Sequence, residues 1–417
     1  MRARRCEVAQ AAVRAGGYAP EVSWTAARRA YWGVMAVFFA SGLTMAVLAS
    51  RLWVVRDLLD ATPARMGVLL LFTSLGSMCT MPFIGALVAR RGTTALIRVT
   101  VAVGLTGLLL ATWCITRGWQ WPTAAGLFVL GAGIGSCDVA MNLAGTDVER
   151  ALGRAVMPQF HAGFSLGTVA AALVGALLSH LGLPLVTHIG LTVGATAGLV
   201  AWGTLGLLPH GHPSHAPAGL VPLSGRLSAL AAWRESRTLL IGLVVLGAGL
   251  AEGSANDWLV LGIGQDFPVS ESTGILGLAC FLAAMTTMRA LGTRLIDARG
   301  RPFTQVVCAT SALVGLTVYV VAPVVPLALL GALVWGFGAA MGFPMGMSAA
   351  ADDPARAAVR TSVVSTIGYA AFLAGPPLLG LLASHVGYRH ALLVVLVPVA
   401  LGLVLAPVLR PVPVAHR

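Results

Sequence analysis

Four polar side chains lie inside long apolar stretches of this 417-residue sequence and could bind a proton or a small polar molecule. Asn256 lies one helical turn after Glu252. Asn142 follows Asp138 by four residues, so the two side chains share one face of a helix. A charged group at the centre of a membrane-spanning helix costs about 2.5–3.5 kcal/mol, and such groups are usually functional. The sequence therefore predicts a proton-binding site at Glu252 and Asp138. The alternative is that each is fixed in a structural hydrogen bond or ion pair.

Long runs without charged residues indicate which elements must hold these side chains. The chain is 57% hydrophobic and 10% charged, with a mean hydropathy of +0.86, whereas soluble chains are about 25% charged. The runs 155–209 and 302–351 contain no Asp, Glu, Lys or Arg. Because about 20 apolar residues cross a bilayer, each of these runs must hold two spans. Their continuity excludes the alternating pattern of a membrane β-barrel.

The sequence thus predicts an all-α membrane protein of about twelve helices. Reading the apolar runs between breaking residues predicts helices at 30–50, 66–88, 96–115, 123–144, 160–181, 185–208, 238–261, 272–292, 303–322, 327–350, 361–384 and 390–409.

The distribution of arginine predicts the orientation in the membrane. All 27 basic residues are Arg. If the N-terminus is cytoplasmic, 22 of them fall in cytoplasmic segments and five on the other side. Cytoplasmic loops retain positive charge, so we expect an inner (plasma) membrane protein with both termini in the cytoplasm. The net charge of +12 is then a topology signal and indicates no nucleic-acid partner.

The predicted spans divide the chain into five segments. They are a disordered cytoplasmic extension (1–29), an N-terminal six-helix bundle (30–208), a cytoplasmic linker (209–237), a C-terminal six-helix bundle (238–409) and a cytoplasmic tail (410–417). No cysteine or histidine spacing predicts a metal site. No catalytic constellation or nucleotide loop appears, so the sequence predicts neither an enzyme nor a bound cofactor.

Two segments recur between the halves at nearly the same offset. Segment 175–182 reads Gly-Ala-Leu-Leu-Ser-His-Leu-Gly, and 380–387 reads Gly-Leu-Leu-Ala-Ser-His-Val-Gly. Segment 85–92 reads Gly-Ala-Leu-Val-Ala-Arg-Arg-Gly, and 293–300 reads Thr-Arg-Leu-Ile-Asp-Ala-Arg-Gly. Six is an even number of helices, so both halves enter the membrane in the same direction. This predicts a parallel repeat about an axis along the membrane normal.

Charged residues near the helix ends are candidates for a gate. The repeat offset puts Arg51 level with Trp258, next to Asp257, and we predict an Arg51–Asp257 pair near the outer mouth. A static interfacial charge is the alternative, because exposed pairs contribute little. Arg289, near the inner end of the eighth helix, is a further gate candidate.

Segments 85–92 and 293–300 resemble the loop motif G-x-L-x-D-R-x-G-R of the major facilitator superfamily. The second copy keeps Asp297, Gly300 and Arg301, whereas the first has Ala89 in place of the acid. The resemblance extends from about residue 30 to 409. It implies a gating role for Asp297 and a central cavity lined by the first, fourth, seventh and tenth helices, where Asp138 and Glu252 would lie.

Other segments are similar to particular branches of that family. Segment 133–142 reads Gly-Ile-Gly-Ser-Cys-Asp-Val-Ala-Met-Asn, similar to the G-x-G-x-x-E-x-x-x-N run of fucose and hexose proton symporters. The segments 157–165 and 375–377 resemble bacterial members with no assigned substrate. The fifth helix, 160–181, contains no Pro and so lacks the signature of drug–proton antiporters.

The resemblance implies a secondary transporter, monomeric in the bilayer, whose partners are a small organic solute and protons. A sugar-like solute is among the candidates. Residues that could contact it are His161, Phe164, Trp335 and Tyr369. Two alternatives stay open: an exporter of amphipathic compounds such as drugs, and a non-transporting membrane sensor or scaffold.

Overall fold

The computed structural model of the chain describes residues 23–154, 156–208, 232–353 and 356–411. Its first half contains the helices α1 (Trp24–Ala49), α2 (Pro63–Arg91), α3 (Thr93–Thr116), α4 (Gln120–Leu152), α5 (Met157–His180) and α6 (Leu185–Thr204), with a short helix Leu52–Leu59 after α1. Its second half contains α7 (Ser236–Asp266), the helical run Glu271–Val321, α10 (Val325–Ala350), α11 (Ala357–Val386) and α12 (Tyr388–Val404).

The run Glu271–Val321 is two helices rather than one. Its 51 residues far exceed the length needed to cross a bilayer, and its backbone leaves the helical conformation at Gly300. We call the part before Gly300 α8 and the part after it α9. Ten helices of the described residues meet the length and hydropathy of a membrane span, this run counting as one, and the 17-residue α12 is a shorter apolar helix. The prediction of about twelve helices is confirmed.

The sequence repeat is also a repeat of backbone conformation. Gly92 joins α2 to α3 with φ 83° and ψ 157°, and Gly300 joins α8 to α9 with φ 80° and ψ 165°. Positive φ is readily adopted only by glycine. The loop-motif glycines of the two halves therefore make the same turn.

Two helices begin earlier than predicted. The helix α1 begins at Trp24 rather than at residue 30, because the Ser23 hydroxyl accepts a hydrogen bond from the Ala26 N–H at 3.3 Å. The helix α7 begins at Ser236, inside the predicted linker 209–237. Residues 1–22 of the predicted extension, 209–231 of the linker and 412–417 of the tail lie outside the described residues.

Among the described residues, apolar packing joins the two halves at one end only. A large buried cluster unites the end of α1 and the beginning of α2 with residues throughout the second half. The other ends of the N-terminal helices form a separate cluster drawn from the first half alone. We call the end where the halves share a core the closed end. The opposite end, where α1 begins and where α2 meets α3, is called the arginine-rich end.

Candidate functional site

At the closed end α2 packs directly against α11. A Cβ atom on Gly67 would collide with the carbonyl oxygen of Pro376, so the absence of a side chain is what allows this approach. One to two turns further on, the Ser74 hydroxyl donates a hydrogen bond to the Phe372 carbonyl at 2.8 Å. These contacts join the two halves and block a path between them at this end.

A polar cluster completes the closed end. Arg51 lies 3.3 Å (Nη1 to Oε2) from Glu271, the first residue of α8, and also donates to the Leu183 carbonyl at 3.0 Å. The Ser179 hydroxyl at the end of α5 donates to the same carboxylate at 2.6 Å. Arg51 is almost fully buried, so this ion pair between the halves is shielded from solvent.

The predicted pair between Arg51 and Asp257 does not form in this structure. Positions equivalent in the repeat lie at the same depth in two different bundles, and equal depth does not bring them into contact. The side chains of Asp257 and Asn256, both half-buried in α7, make no hydrogen bond or ion pair with the rest of the described chain. Glu271 takes the place that was predicted for Asp257.

The faces of α2 and α11 that touch at the closed end move apart towards the arginine-rich end. Met78 and Pro82 continue the face of α2 that contacts α11 at the closed end, and both are exposed. Ser362 and Thr366 continue the facing side of α11 and are exposed as well. A Cβ added to Gly85 would meet no atom within 4 Å. A cleft between the halves therefore opens towards the arginine-rich end.

Asp138 and Asn142 face the same side of α4, as their spacing predicts. The Asn142 Nδ2 donates to the Asp138 carbonyl at 2.8 Å and to its Oδ1 at 3.3 Å. Within the described residues no arginine or histidine pairs with this carboxylate. Asp138 is thus a half-buried carboxyl whose hydrogen-bonding partner is a neutral amide.

Glu252 and Arg289, predicted for different roles, form an ion pair within the C-terminal half. Arg289 Nη2 lies 2.8 Å from Glu252 Oε2, and its Nε donates to the Ala340 carbonyl at 3.3 Å, where α10 bends. Arg289 therefore ties α8 to α7 and α10 and does not bridge the halves in this structure.

Aromatic side chains line the C-terminal side of the cleft. Tyr369 of α11 lies 6.0 Å from Phe343 and 6.4 Å from Phe372, measured between ring centroids. Tyr369 is also close enough to Asp138 for the two to interact electrostatically across the halves. A predicted aromatic residue and the α4 carboxyl therefore lie within electrostatic range of each other.

On the N-terminal side, His161 is exposed and lies edge-on to Phe38, with ring centroids 5.3 Å apart. It lies within electrostatic range of Arg289. Phe164, one turn further along α5, is half-buried against the apolar cluster of the first half. Of the two predicted contacts, His161 is therefore the more accessible.

Trp335 is placed differently from the prediction. It is 0% exposed and packs against Phe281 at 5.3 Å and Tyr319 at 5.9 Å. This face of α10 contacts α9 closely, since a Cβ on Gly315 would clash with the Trp335 backbone. Trp335 belongs to the core of the C-terminal bundle, and the prediction that it contacts a solute is corrected.

Asp297 forms no ion pair with any residue that the structure describes, and its side chain is exposed. The loop motif acts instead through Arg301, which donates to both carboxylate oxygens of Asp352, at 2.7 and 2.9 Å, and to the Ser348 hydroxyl at 3.0 Å. No ion pair among the described residues therefore supports the gating role predicted for Asp297.

A charge network at the arginine-rich end of the C-terminal half was not predicted. Glu235 binds Arg356 and Arg360, both at 2.6 Å, and Asp352 also binds Arg237 at 3.0 Å. A signal for it exists in the sequence, because an acid-rich turn followed by two arginines occurs in both halves. It comprises Asp147, Glu149, Arg150 and Arg154 in the first half, and Asp352, Asp353, Arg356 and Arg360 in the second.

Taken together, the geometry provides a cleft that is closed at one end and open at the other. One half carries Asp138, a carboxyl with no cation partner among the described residues, and the other carries the ion-paired Glu252. Such a cleft can hold a small polar molecule and exchange protons with the open end.

Comparison with known proteins identifies relatives along almost the whole chain. The sequence profile of the Major Facilitator Superfamily matches residues 258–417. An uncharacterised transporter of Sinorhizobium fredii, y4wD, is 32% identical over 391 residues, which cover 91% of this chain and 97% of the relative. An uncharacterised MFS-type transporter of Yersinia pestis is 33% identical over 350 residues, covering 83% and 87%.

Two solved structures share the fold. The nucleoside transporter NupG superposes with a TM-score of 0.71 at 17% identity, over 92% of this chain and 98% of that one. The transporter FucP in its outward conformation gives a TM-score of 0.63 at 15% identity, over 92% and 99%. At these identities the likeness shows the fold alone.

Proposed function

Because this chain belongs to the Major Facilitator Superfamily and is a membrane transporter, we propose that it moves a small polar organic solute by proton-coupled alternating access. The observation that carries the proposal is the position of Asp138. It is a half-buried carboxyl with no paired cation among the described residues, and it lies within electrostatic range of Tyr369 in the other half. Keeping an ionised carboxylate away from water without a cation costs free energy, so the protonated form is favoured.

Glu252 is proposed as the second proton-linked carboxyl. Arg289 holds it as a charged pair in the conformation that is open at the arginine-rich end. Protonation of Glu252 would release Arg289, whose contacts connect three helices of the C-terminal half. Opening and closing could then be linked to proton binding through this pair.

The lining of the cleft supports a sugar-like solute. Phe343, Tyr369 and Phe372 offer apolar ring faces, and Asp138 with Asn142 offers hydrogen-bonding groups for hydroxyls. Two structurally similar proteins are named as a nucleoside transporter and a fucose:proton symporter. Both solutes carry a hydroxylated sugar ring, which fits a cleft of this composition.

The arrangement of the two ends supports alternating access. The Arg51–Glu271 pair and the α2–α11 contact close one end while the other end is open. By the arginine distribution, the open end would face the cytoplasm. We propose that Arg51 and Glu271 separate when the cleft opens to the other side.

The test is uptake into proteoliposomes under an imposed proton gradient, with hexoses, deoxyhexoses and nucleosides as candidate solutes. Wild type is compared with Asp138→Asn and with Asp60→Asn as the matched control. Asp60 is an exposed acid at the end of a short helix, in a left-handed conformation that Asn also tolerates. Solute exchange without a gradient is measured in parallel.

We expect Asp138→Asn to lose gradient-driven accumulation while it keeps solute exchange, and Asp60→Asn to keep both. Loss of exchange as well would assign Asp138 to solute binding rather than to coupling. If wild type accumulates a solute and Asp138→Asn accumulates it equally well, the proposed coupling role is wrong. If wild type moves none of the hexoses, deoxyhexoses or nucleosides, the proposal of a sugar-like solute is wrong.

A further inference from the structure

A second site lies outside the cleft, where α1 begins and α4 ends. A pocket of about 330 Å³ opens there at the arginine-rich end. Its lining consists of two arginines, three aromatic residues and one leucine: Arg28, Arg154, Trp24, Tyr31, Trp32 and Leu152. This composition combines positive charge with aromatic surface, and the proposed transport function makes no use of it.

Both guanidinium groups of the pocket are available to an anion. Arg28 and Arg154 are exposed, and neither makes an ion pair or side-chain hydrogen bond with any residue in the described part of the chain. This distinguishes them from Arg237, Arg356 and Arg360 at the same end of the other half, which are bound to carboxylates. A bound anion would neutralise these two charges, which have no partner among the described residues.

The aromatic residues place the pocket at the surface of the bilayer. Trp24, Arg28 and Trp32 follow one another at intervals of four residues and form one stripe along α1. Trp24 is 61% exposed and Trp32 is 53% exposed. The stripe rises about 12 Å, whereas one headgroup layer is only about 5–8 Å deep. The stripe is therefore long enough to reach from the headgroup layer into the hydrocarbon, a boundary that tryptophans favour.

We infer that this pocket binds the phosphate headgroup of an anionic phospholipid. The phosphate lies between Arg28 and Arg154, since guanidinium groups bind phosphate oxygens through paired N–H donors. The glycerol backbone and the start of an acyl chain lie along Trp32 and Leu152. Basic pockets between membrane helices are suited to such headgroups. A free phosphate ion would use the two arginines but would gain nothing from the apolar part of the pocket.

The inference is tested by native mass spectrometry of the full-length protein in detergent with equal amounts of phosphatidylglycerol and phosphatidylcholine. Wild type is expected to retain phosphatidylglycerol preferentially. Each Arg near an anionic membrane surface strengthens binding by roughly fivefold, so Arg28→Gln with Arg154→Gln should lower its retention by roughly tenfold or more. Replacing both by Lys should restore most of the retention, because the charge returns.

The matched control is Arg90→Gln with Arg91→Gln, which removes two exposed arginines at the same end but outside the pocket. It should retain the lipid as wild type does, and size-exclusion profiles and helical circular dichroism should be alike for all variants. Equal retention by the Arg28/Arg154 variant, or equal loss in the control, would overturn the inference. So would displacement of the lipid by millimolar inorganic phosphate alone, which would assign the pocket to a free anion.

Discussion

The two halves of the molecule hold their central carboxyls in different ways. In the N-terminal half Asp138 is bonded to the amide of Asn142, whereas in the C-terminal half Glu252 is paired with Arg289 at 2.8 Å. A carboxylate next to a guanidinium can stay ionised in a poorly hydrated place, because the pair is neutral as a whole. A carboxylate next to an amide has no such compensation. The two halves therefore place their central carboxyls in different electrostatic surroundings, one beside a cation and one without a cation among the described residues.

The same contrast occurs at the arginine-rich end. Glu235 of the C-terminal half is held by the side chains of Arg356 and Arg360. Glu149 of the N-terminal half instead accepts hydrogen bonds from the backbone N–H groups of Val156 and Met157, at 2.7 and 2.9 Å. Glu235 is thus tied to two arginine side chains at the start of α11, while Glu149 stabilises the start of the next helix.

The largest effect is expected from Arg289→Gln. It leaves the Glu252 charge partly buried without a partner, which should lower the free energy of unfolding by about 3 kcal/mol, the lower end of the range because Arg289 is 29% exposed. The measurement is thermal unfolding of the purified protein in detergent.

The double variant Arg289→Gln with Glu252→Gln is the control for this prediction. It removes both charges, so most of the lost stability should return. If the double variant is as unstable as the single one, the loss comes from packing around Arg289, and the ion pair is not what distinguishes the C-terminal half.

The second prediction concerns the conformation in which this contrast is observed. In Gly67→Ile a side chain would meet the Pro376 carbonyl, so the closed end should lose roughly 2 kcal/mol of stability and open more often. Cys79 is exposed on α2 on the side of the arginine-rich end. Its labelling by a maleimide, followed by peptide mapping, should slow as that end closes.

The control is Gly85→Ala, at a position with free space, in which Cys79 should be labelled at the wild-type rate. Unchanged labelling in Gly67→Ile would show that the two ends are not coupled.

The number and repeat of the helices could be predicted from the sequence for a physical reason. A bilayer requires every span to be a helix of sufficient length, so long uncharged runs identify the spans almost without further information. The shared turn at Gly92 and Gly300 was foreseeable because only glycine readily adopts positive φ there. Short-range geometry was predictable too, as the Asp138–Asn142 pair shows.

Which face of each helix points to the cleft could not be predicted. These helices are apolar all round, so hydrophobic periodicity does not fix their rotation. The sequence consequently predicts Trp335 as a solute contact, whereas its face packs into the core. The pairing of Arg51 with Glu271 depends on how two bundles meet, and the pairing of Glu252 with Arg289 depends on the rotation of α7 against α8. Neither follows from positions along one chain.

The third prediction tests the N-terminal side of the contrast. Asp138→Asn removes an unpaired charge and keeps a hydrogen-bond acceptor for Asn142, so stability should stay within about 1 kcal/mol of wild type or rise. The measurement is the same thermal unfolding assay at neutral pH, beside Asp60→Asn. A loss comparable to that of Arg289→Gln would mean that Asp138 has a charged partner, and the difference between the halves would disappear.

The smallest effect concerns the pH dependence of the Glu235 ion pairs. Partial burial raises the pKa of Glu235, but the hydrogen bonds from Arg360 and Thr238 and the charges of Arg360 and Arg356 outweigh it and hold the pKa below its ordinary 4.5. Because the folded-state pKa is lower than the unfolded one, the stability that Glu235 contributes is present above about pH 4.5 and is lost as the pH falls through the folded-state value. The effect should stay below about 1 kcal/mol, since Arg356 is largely exposed.

Thermal unfolding of wild type and Glu235→Gln from about pH 6 to about pH 3 measures this dependence of stability on pH. Glu235→Gln should be less stable than wild type at the upper end of the range, and the two should converge as the pH falls. Asp60→Asn, the change of an exposed acid, should run parallel to wild type throughout. If Glu235→Gln also runs parallel to wild type, the arginines around Glu235 do not stabilise the folded state through its charge. The contrast between the halves would then be confined to the two central carboxyls.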